Sequence, residues 1–102
     1  MKKMKPRNIF DNVEFSDETP VKTPIIKEDQ YSIMRISLKK GLSVPPHKGG
    51  HSVVFFVLQG KGIFTSGGSE VELVQNEYLH IKKGEVRGIR ALENLVIFAV
   101  KE

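Results

Sequence analysis

Apolar and polar residues alternate over short distances along the chain, and no stretch longer than one turn shows the spacing of an amphipathic helix. Short segments rich in β-branched and aromatic side chains are separated at regular intervals by glycine, proline, asparagine and serine. Each segment has the length of a single strand, and each separator is typical of a tight turn. The pattern therefore predicts an all-β protein, either a sandwich or a barrel.

The strongest predicted strands cover residues 31–38, 53–58, 63–65, 70–73, 78–81, 86–91 and 95–100. Residues 9–15 predict a weak strand or an arm. Pro24 limits residues 21–27 to an edge strand or an extended arm, because proline cannot donate to a central ladder. Glu70 and Glu72 alternate with Val71 and Leu73, which predicts a strand with one face in water.

Residues 41–60 contain the best candidate site. Pro45 and Pro46 require an extended path outside any central ladder, and His47 and His51 follow in a glycine-containing loop. Residues 53–58 are apolar at every position, which predicts a strand buried on both faces. Two interpretations remain open for this stretch, a metal or ligand site at a barrel mouth and a plain turn that leads into a core strand.

Composition and charge exclude several classes of function. A chain of 102 residues with 39% apolar and 27% charged residues predicts one soluble globular domain. The net charge of +4 includes three lysines in the first five residues. The chain has no clustered stripe of basic residues, so we do not expect it to bind nucleic acid. The absence of cysteine excludes disulfides and thiolate metal sites. No signal-peptide or membrane-spanning run is found, so we expect a cytoplasmic protein without a membrane partner.

Residues 95–100 are also apolar on both faces, which is more than one small core easily covers. We therefore expect a second copy of the chain to cover one face, giving a homodimer. The alternative is that the N-terminal arm covers this face within the same chain.

His47, His51 and His80 are the three candidate metal ligands, because imidazole binds most divalent transition metals. A metal site needs three or four ligands, and the nearest downstream acids, Glu70 and Glu72, are expected to face solvent. Histidines that only donate or accept structural hydrogen bonds are the competing interpretation.

The spacing from Gly41 to Gly60 resembles the first cupin motif, G-x5-H-x-H-x3-E-x6-G, with His47 on its first histidine. Residues 76–91 resemble the second, G-x5-P-x-G-x2-H-x3-N, with Gly84 on its internal glycine, and fifteen residues separate the two. The sequence is thus similar to small single-domain cupins. The resemblance implies a double-stranded β-helix, a jelly-roll barrel, over residues 31–102, with residues 1–30 as an arm and edge strands packed on it.

The ligand positions depart from the cupin pattern. Cupins bind metal through two histidines and a glutamate of the first motif and a histidine of the second. This sequence keeps His47 but has Gly49, Val53 and Arg87 at the other three positions. The resemblance therefore implies a barrel without the standard metal centre. The alternative is a metal-dependent enzyme, an oxygenase or isomerase, that binds a divalent transition metal through His47, His51 and His80.

Arg87 suggests a different kind of site. It shares a strand face with Ile89 and Ala91, so an apolar barrel interior would place its guanidinium beside a cavity. A buried guanidinium needs a carboxylate, from the protein or from a ligand. We therefore predict a pocket for a small organic anion, with Lys48, Lys82 and Lys83 adding positive potential. The predicted ligand-binding residues are His47, His51, Phe55, Val57, Tyr78, His80, Arg87 and Ile89. The alternative is that Arg87 reaches solvent or pairs with Glu77 or Glu85, and whether the chain is an enzyme stays open.

Overall fold

The computed structural model describes residues 4–102, which form nine β-strands and no helix. No helix in this part of the chain could therefore cross a membrane. The strands, numbered in chain order, are β1 (Val21–Lys27), β2 (Ser32–Leu38), β3 (Ser43–Lys48), β4 (Val53–Gln59), β5 (Lys61–Ser66), β6 (Ser69–Val74), β7 (Tyr78–Ile81), β8 (Val86–Ala91) and β9 (Leu95–Lys101).

The strands form two antiparallel sheets. One has the order β1-β2-β9-β4-β7 and the other has the order β3-β8-β5-β6. Some neighbours are consecutive strands, such as β5 and β6, whereas others come from distant parts of the chain, as in β2 with β9 and β3 with β8. The inner faces of the two sheets pack together, and Phe55 of β4 meets Phe64 of β5 with ring centroids 5.6 Å apart. The prediction of an all-β jelly-roll barrel is confirmed.

Strand β4 alternates between the core and the outer face of its sheet. Val53, Phe55 and Val57 are buried, whereas the three residues between and after them are half-buried. Within a single chain, residues 53–58 are therefore buried on one face only and half-buried on the other. In an antiparallel two-sheet barrel only one face of a strand contacts the core, and the other contacts whatever lies outside.

The prolines lie where the pattern predicts them. Pro45 and Pro46 are in β3, an edge strand, and the pairing of β3 with β8 shifts register between Val44 and His47. Pro24 is in β1, the edge of the other sheet, beside a similar shift. An edge strand pairs on one side only, so a residue without an N–H can be accommodated there.

Strand β6 only partly follows its predicted alternation. Leu73 is buried, but Val71 is 42% exposed. β6 is the edge of its sheet and Val71 lies toward the hairpin turn at residues 67–68, so it has fewer neighbours than a central residue.

Residues 8–20 form an arm rather than a strand, and this arm packs on the outer face of the five-stranded sheet. The buried Arg35 of β2 donates hydrogen bonds to its backbone carbonyls, and Ser37 donates one to the carbonyl of Glu14 at 2.6 Å. Next to Ser37, Val96 of β9 is fully buried, whereas Phe98 and Val100 are half-buried. Burial on this face is therefore complete at Val96 and incomplete at Phe98, although Phe98 pairs with Arg35.

Candidate ligand site

A small cavity of about 50 Å³ lies between the two sheets. Its wall combines apolar side chains with Arg87, His47 and two lysines, and it includes no aspartate or glutamate. The lining residues are Lys22, Ile36, Val44, His47, Phe55, Arg87, Gly88, Ile89 and Lys101.

Arg87 is the charged group at the centre of this site and is only 4% exposed. Its Nη2 donates to the carbonyl oxygens of Lys82 at 3.1 Å and Glu85 at 3.3 Å, and its Nε donates to the same Glu85 carbonyl at 3.4 Å. None of the hydrogen bonds found among residues 4–102 uses Nη1. Arg87 is thus largely buried, and Nη1 is the one guanidinium nitrogen without a protein acceptor among the described residues; it is not fully shielded from solvent.

The predicted ion pair of Arg87 with Glu77 or Glu85 does not form, because the only ion pair among the described residues joins Lys39 to Asp17. The predicted contact with solvent is small: the residue is 4% exposed, and its unpaired Nη1 is not among the side-chain polar atoms that are shielded from solvent without a partner. The Glu77 carboxylate instead accepts from the Val74 amide at 2.8 Å, and Glu85 offers Arg87 its backbone carbonyl. A charge held this way is solvated by carbonyl dipoles but not neutralised, which favours an anion beside it.

His47 lies beside Arg87 at the wall of the cavity. The two residues are register partners across β3 and β8, and the exposed His47 ring places Nδ1 3.0 Å from the Pro45 carbonyl oxygen. Phe55 and Ile89 supply apolar wall, as predicted. Four of the eight predicted residues therefore line one cavity.

The other four predicted residues do not line this cavity. Tyr78 and His80 pair with Phe56 and Val54, so their side chains lie on the outer face of the sheet, where Tyr78 is 68% exposed. Val57 is fully buried in the core.

His51 places Nδ1 2.7 Å from the Glu102 carbonyl oxygen. It lines a separate, open cavity of about 570 Å³ together with His80, Lys82 and Lys83.

Lys22 and Lys101 were not predicted as site residues. Lys22 pairs with the buried Ile36, and Lys101 pairs with the buried Val53, so both lie on inner-face positions of their strands. For Lys101 a signal was present, because it continues the inward alternation of Leu95, Ile97 and Ala99. For Lys22 the alternation is interrupted by Pro24, and a lysine near a chain end is normally interpreted as exposed.

The two antiparallel sheets form a jelly-roll barrel with a small cavity between them, and this architecture places the chain in the class of double-stranded β-helix proteins. The family model described as "Cupin domain" matches residues 34–100, and this chain belongs to the cupin family. No curated protein matches it.

Among solved structures, the chain is similar to an RmlC-like cupin from Desulfovibrio desulfuricans, with 22% identity over 97% of this chain and 96% of that chain and a TM-score of 0.87. A cupin superfamily protein from Desulfitobacterium hafniense DCB-2 has 16% identity over 99% and 93%, with a TM-score of 0.86. A conserved protein with a double-stranded β-helix domain from Klebsiella pneumoniae has 16% identity over 97% and 90%, with a TM-score of 0.85. At these identities the similarity shows the fold.

The residues at this site do not fit the metal centre that the cupin motifs imply. Of the four ligand positions only His47 carries a donor, and the guanidinium of Arg87 packs directly on Gly49. Arginine stays protonated and is not an ordinary metal ligand. The alternative ligand set of three histidines does not fit a metal either, because His51 and His80 line a different cavity from His47. Within residues 4–102 no three His, Asp or Glu side chains are grouped closely enough to hold a metal ion.

Proposed function

We propose that this chain is a small-molecule-binding cupin that holds a small organic anion against the Arg87 guanidinium. One observation carries the proposal: the cavity wall contains Arg87, Lys22, Lys101 and His47 and no carboxylate. A buried guanidinium without a counter-ion is costly, and an anionic ligand supplies the missing partner. Because Nε and Nη2 already donate to backbone carbonyls, Nη1 is the nitrogen left to donate a charge-assisted hydrogen bond to a carboxylate oxygen.

The volume of the cavity limits the size of the ligand. About 50 Å³ of space is room for roughly two water molecules, so a carboxylate group with a very short apolar tail is the expected occupant. Phe55, Ile89 and Ile36 would contact the tail, and the cationic side chains would contact the oxygens. A bulky ligand would have to open the sheets, which a packed core resists.

A thermal-shift panel of small carboxylates tests this proposal. A ligand at a concentration 100 times its Kd stabilises the folded state by about 2.7 kcal/mol, which is a rise in Tm of about 11 to 22 °C for a domain of this size. A charge-assisted hydrogen bond contributes about 1.5 to 3 kcal/mol, so Arg87→Ala should weaken binding by about 10- to 100-fold.

The matched control is Arg90→Ala. Arg90 is on the same strand but is exposed on the opposite face, so its loss removes the same charge without touching the cavity wall. Binding should survive in this variant. A carboxylate that stabilises the Arg87→Ala protein as well as the wild type would refute the role of Arg87, and no response to any carboxylate would refute the anion site.

We also propose that the outer face of β9, β4 and β7 is covered by a second copy of the chain. Val54, Phe56, Phe98 and Val100 are only half-buried there, and Tyr78 is largely exposed. The outward positions of these three strands carry no lysine, arginine, aspartate or glutamate, so two copies could face each other without like-charge repulsion.

A further inference from the structure

Gly49, directly after β3, is in contact with the guanidinium of Arg87. A Cβ atom built on Gly49 would lie 2.3 Å from Cζ, 2.5 Å from Nε and 2.7 Å from Nη1 of Arg87, distances that real Cβ atoms do not show. The φ angle of Gly49 is not in the left-handed region, unlike those of Gly41 and Gly60. The backbone therefore does not require glycine here, whereas the closeness of Arg87 does.

Arg87 is held against Gly49 from its other side. Its Nε and Nη2 donate to carbonyls in the turn at residues 82–85, and the Gly84 amide of the same turn donates to the Gly49 carbonyl at 3.0 Å. Gly49, this turn and Arg87 are thus one hydrogen-bonded unit. The guanidinium has little room to move because its side chain is buried, although it is the end of a flexible chain.

Gly49 and Arg87 also occupy the two positions where the cupin motifs carry the second and the last metal-binding histidine. A side chain at position 49 and the guanidinium of Arg87 cannot occupy the same space. The absence of a side chain at position 49 therefore makes room for the large cationic side chain at position 87, and the two departures from the cupin motifs depend on each other.

We propose that Gly49 is a positioning residue that seats Arg87, so that the pair provides a fixed guanidinium charge in place of a metal centre. The ligand part of this inference rests on the proposed function, because the anion would bind to the Arg87 guanidinium that Gly49 positions. The seating itself does not depend on any ligand.

Gly49→Ala and Gly50→Ala form a matched pair of variants. Gly50 is the next residue, has no left-handed φ, and has no atom within 4 Å of the position that a Cβ would take. The first readout is the Arg87 Nε–H signal in a ¹H–¹⁵N spectrum, assigned by its disappearance in Arg87→Lys. We expect Gly49→Ala to shift this signal and remove its protection from solvent exchange, and Gly50→Ala to leave both unchanged.

A stability cycle gives a second readout. If Gly49 is needed only for Arg87, then Gly49→Ala should lower Tm in the wild-type background and have no effect in an Arg87→Ala background. The double variant keeps the test usable even if Gly49→Ala alone fails to fold. Carboxylate affinity, measured as above, should fall at least about 10-fold in Gly49→Ala and less than about twofold in Gly50→Ala.

An unshifted Nε–H signal in Gly49→Ala would overturn the inference, and so would an equal loss of stability from Gly49→Ala in both backgrounds. If the Nε–H signal moves but the wild-type protein binds no carboxylate, the seating of Arg87 stands and the proposed anion function falls.

Discussion

Arg35 attaches the N-terminal arm to the barrel, and Arg35→Ala should release the arm. Arg35 is on the outer face of β2, and its side chain is 4% exposed. Its Nη1 donates to the carbonyls of Ile9 and Asp11 at 2.8 Å each, and its Nη2 donates to that of Asn12 at 3.2 Å. These three bonds join the strand to an arm that has no strand pairing of its own.

The magnitude follows from opposing contributions. Three hydrogen bonds from a charged donor contribute about 1.5 kcal/mol each at the low end of the usual range, about 4.5 kcal/mol together. Against this, Arg35 Nε is buried without a partner, at a cost of about 1 to 2 kcal/mol. The balance of about 3 kcal/mol corresponds to roughly a 150-fold increase in opening of the arm.

Hydrogen exchange measures this opening directly. The amides of Asp11 and Val13 donate within the arm, at 3.1 Å to Asn8 and 3.3 Å to Phe10, so they exchange when the arm opens. In Arg35→Ala they should exchange about 100-fold faster at equal pH. If the arm unfolds together with the barrel, Tm should also fall by about 12 to 20 °C.

Ser37→Ala is the graded control. It removes the single hydrogen bond to the Glu14 carbonyl, so it should cost about 1 kcal/mol and raise arm exchange only several-fold. Exchange at Asp11 and Val13 that stays within about threefold of wild type in Arg35→Ala would refute the reasoning, because the arm would then be held by packing alone.

Three further predictions concern metal, pH and assembly. Elemental analysis of protein purified without added metal should find well below one equivalent of transition metal, and about one equivalent that is lost in His47→Ala would contradict the metal-free proposal. The hydrogen bond from Lys39, and then its charge, lower the pKa of Asp17, so this pair favours folding above the ordinary carboxyl pKa and the benefit is lost as pH falls through the lowered value. Lys39→Ala should therefore raise the pKa of Asp17 toward its ordinary value in a ¹³C NMR titration, and an unchanged midpoint would count against the pair. Solution scattering should give a dimer mass for the wild type and a monomer mass for Phe56→Glu, whereas a monomeric wild type would disprove the homodimer.

Much of the fold was predictable from the sequence. Strands predicted at residues 78–81 and 86–91 have the same bounds as Tyr78–Ile81 and Val86–Ala91, because turn residues interrupt the chain on both sides of each. Strand β3 was predicted only as an extended path, since two prolines remove ladder donors. Its place at a sheet edge depends on pairing with residues about forty positions away, which local pattern does not encode.

The site was predictable only in part. Alternation placed Arg87 with Ile89 correctly, but it gives two faces and does not say which one is inside. In β7, Leu79 and Ile81 alternate with Tyr78 and His80 and are more apolar, which indicated that Leu79 and Ile81 are on the inner face. Ile81 is indeed fully buried. The histidines were grouped by residue type, whereas the fold separates His47 from the other two.

The two buried arginines show why burial alone does not identify a ligand site. Both are 4% exposed, both donate to backbone carbonyls and neither forms an ion pair among residues 4–102. Arg35 uses both Nη nitrogens to hold the arm. The wider cavity beside it, about 530 Å³, has Asp11 and Glu14 as well as Arg7 in its wall.

Arg87 differs in its surroundings. Its Nη1 donates no hydrogen bond to any of residues 4–102. The wall of its cavity contains Lys22 and Lys101 but no carboxylate. Near Arg35 two carboxylates offset the charges of Arg35 and Arg7, so an anion gains little there. Near Arg87 an anion would meet only positive or neutral groups. Each arginine has one nitrogen without a protein acceptor among the described residues, Nε in Arg35 and Nη1 in Arg87. The difference between the two sites therefore lies in the sign of the surrounding charge, which favours Arg87 as the residue that meets a ligand.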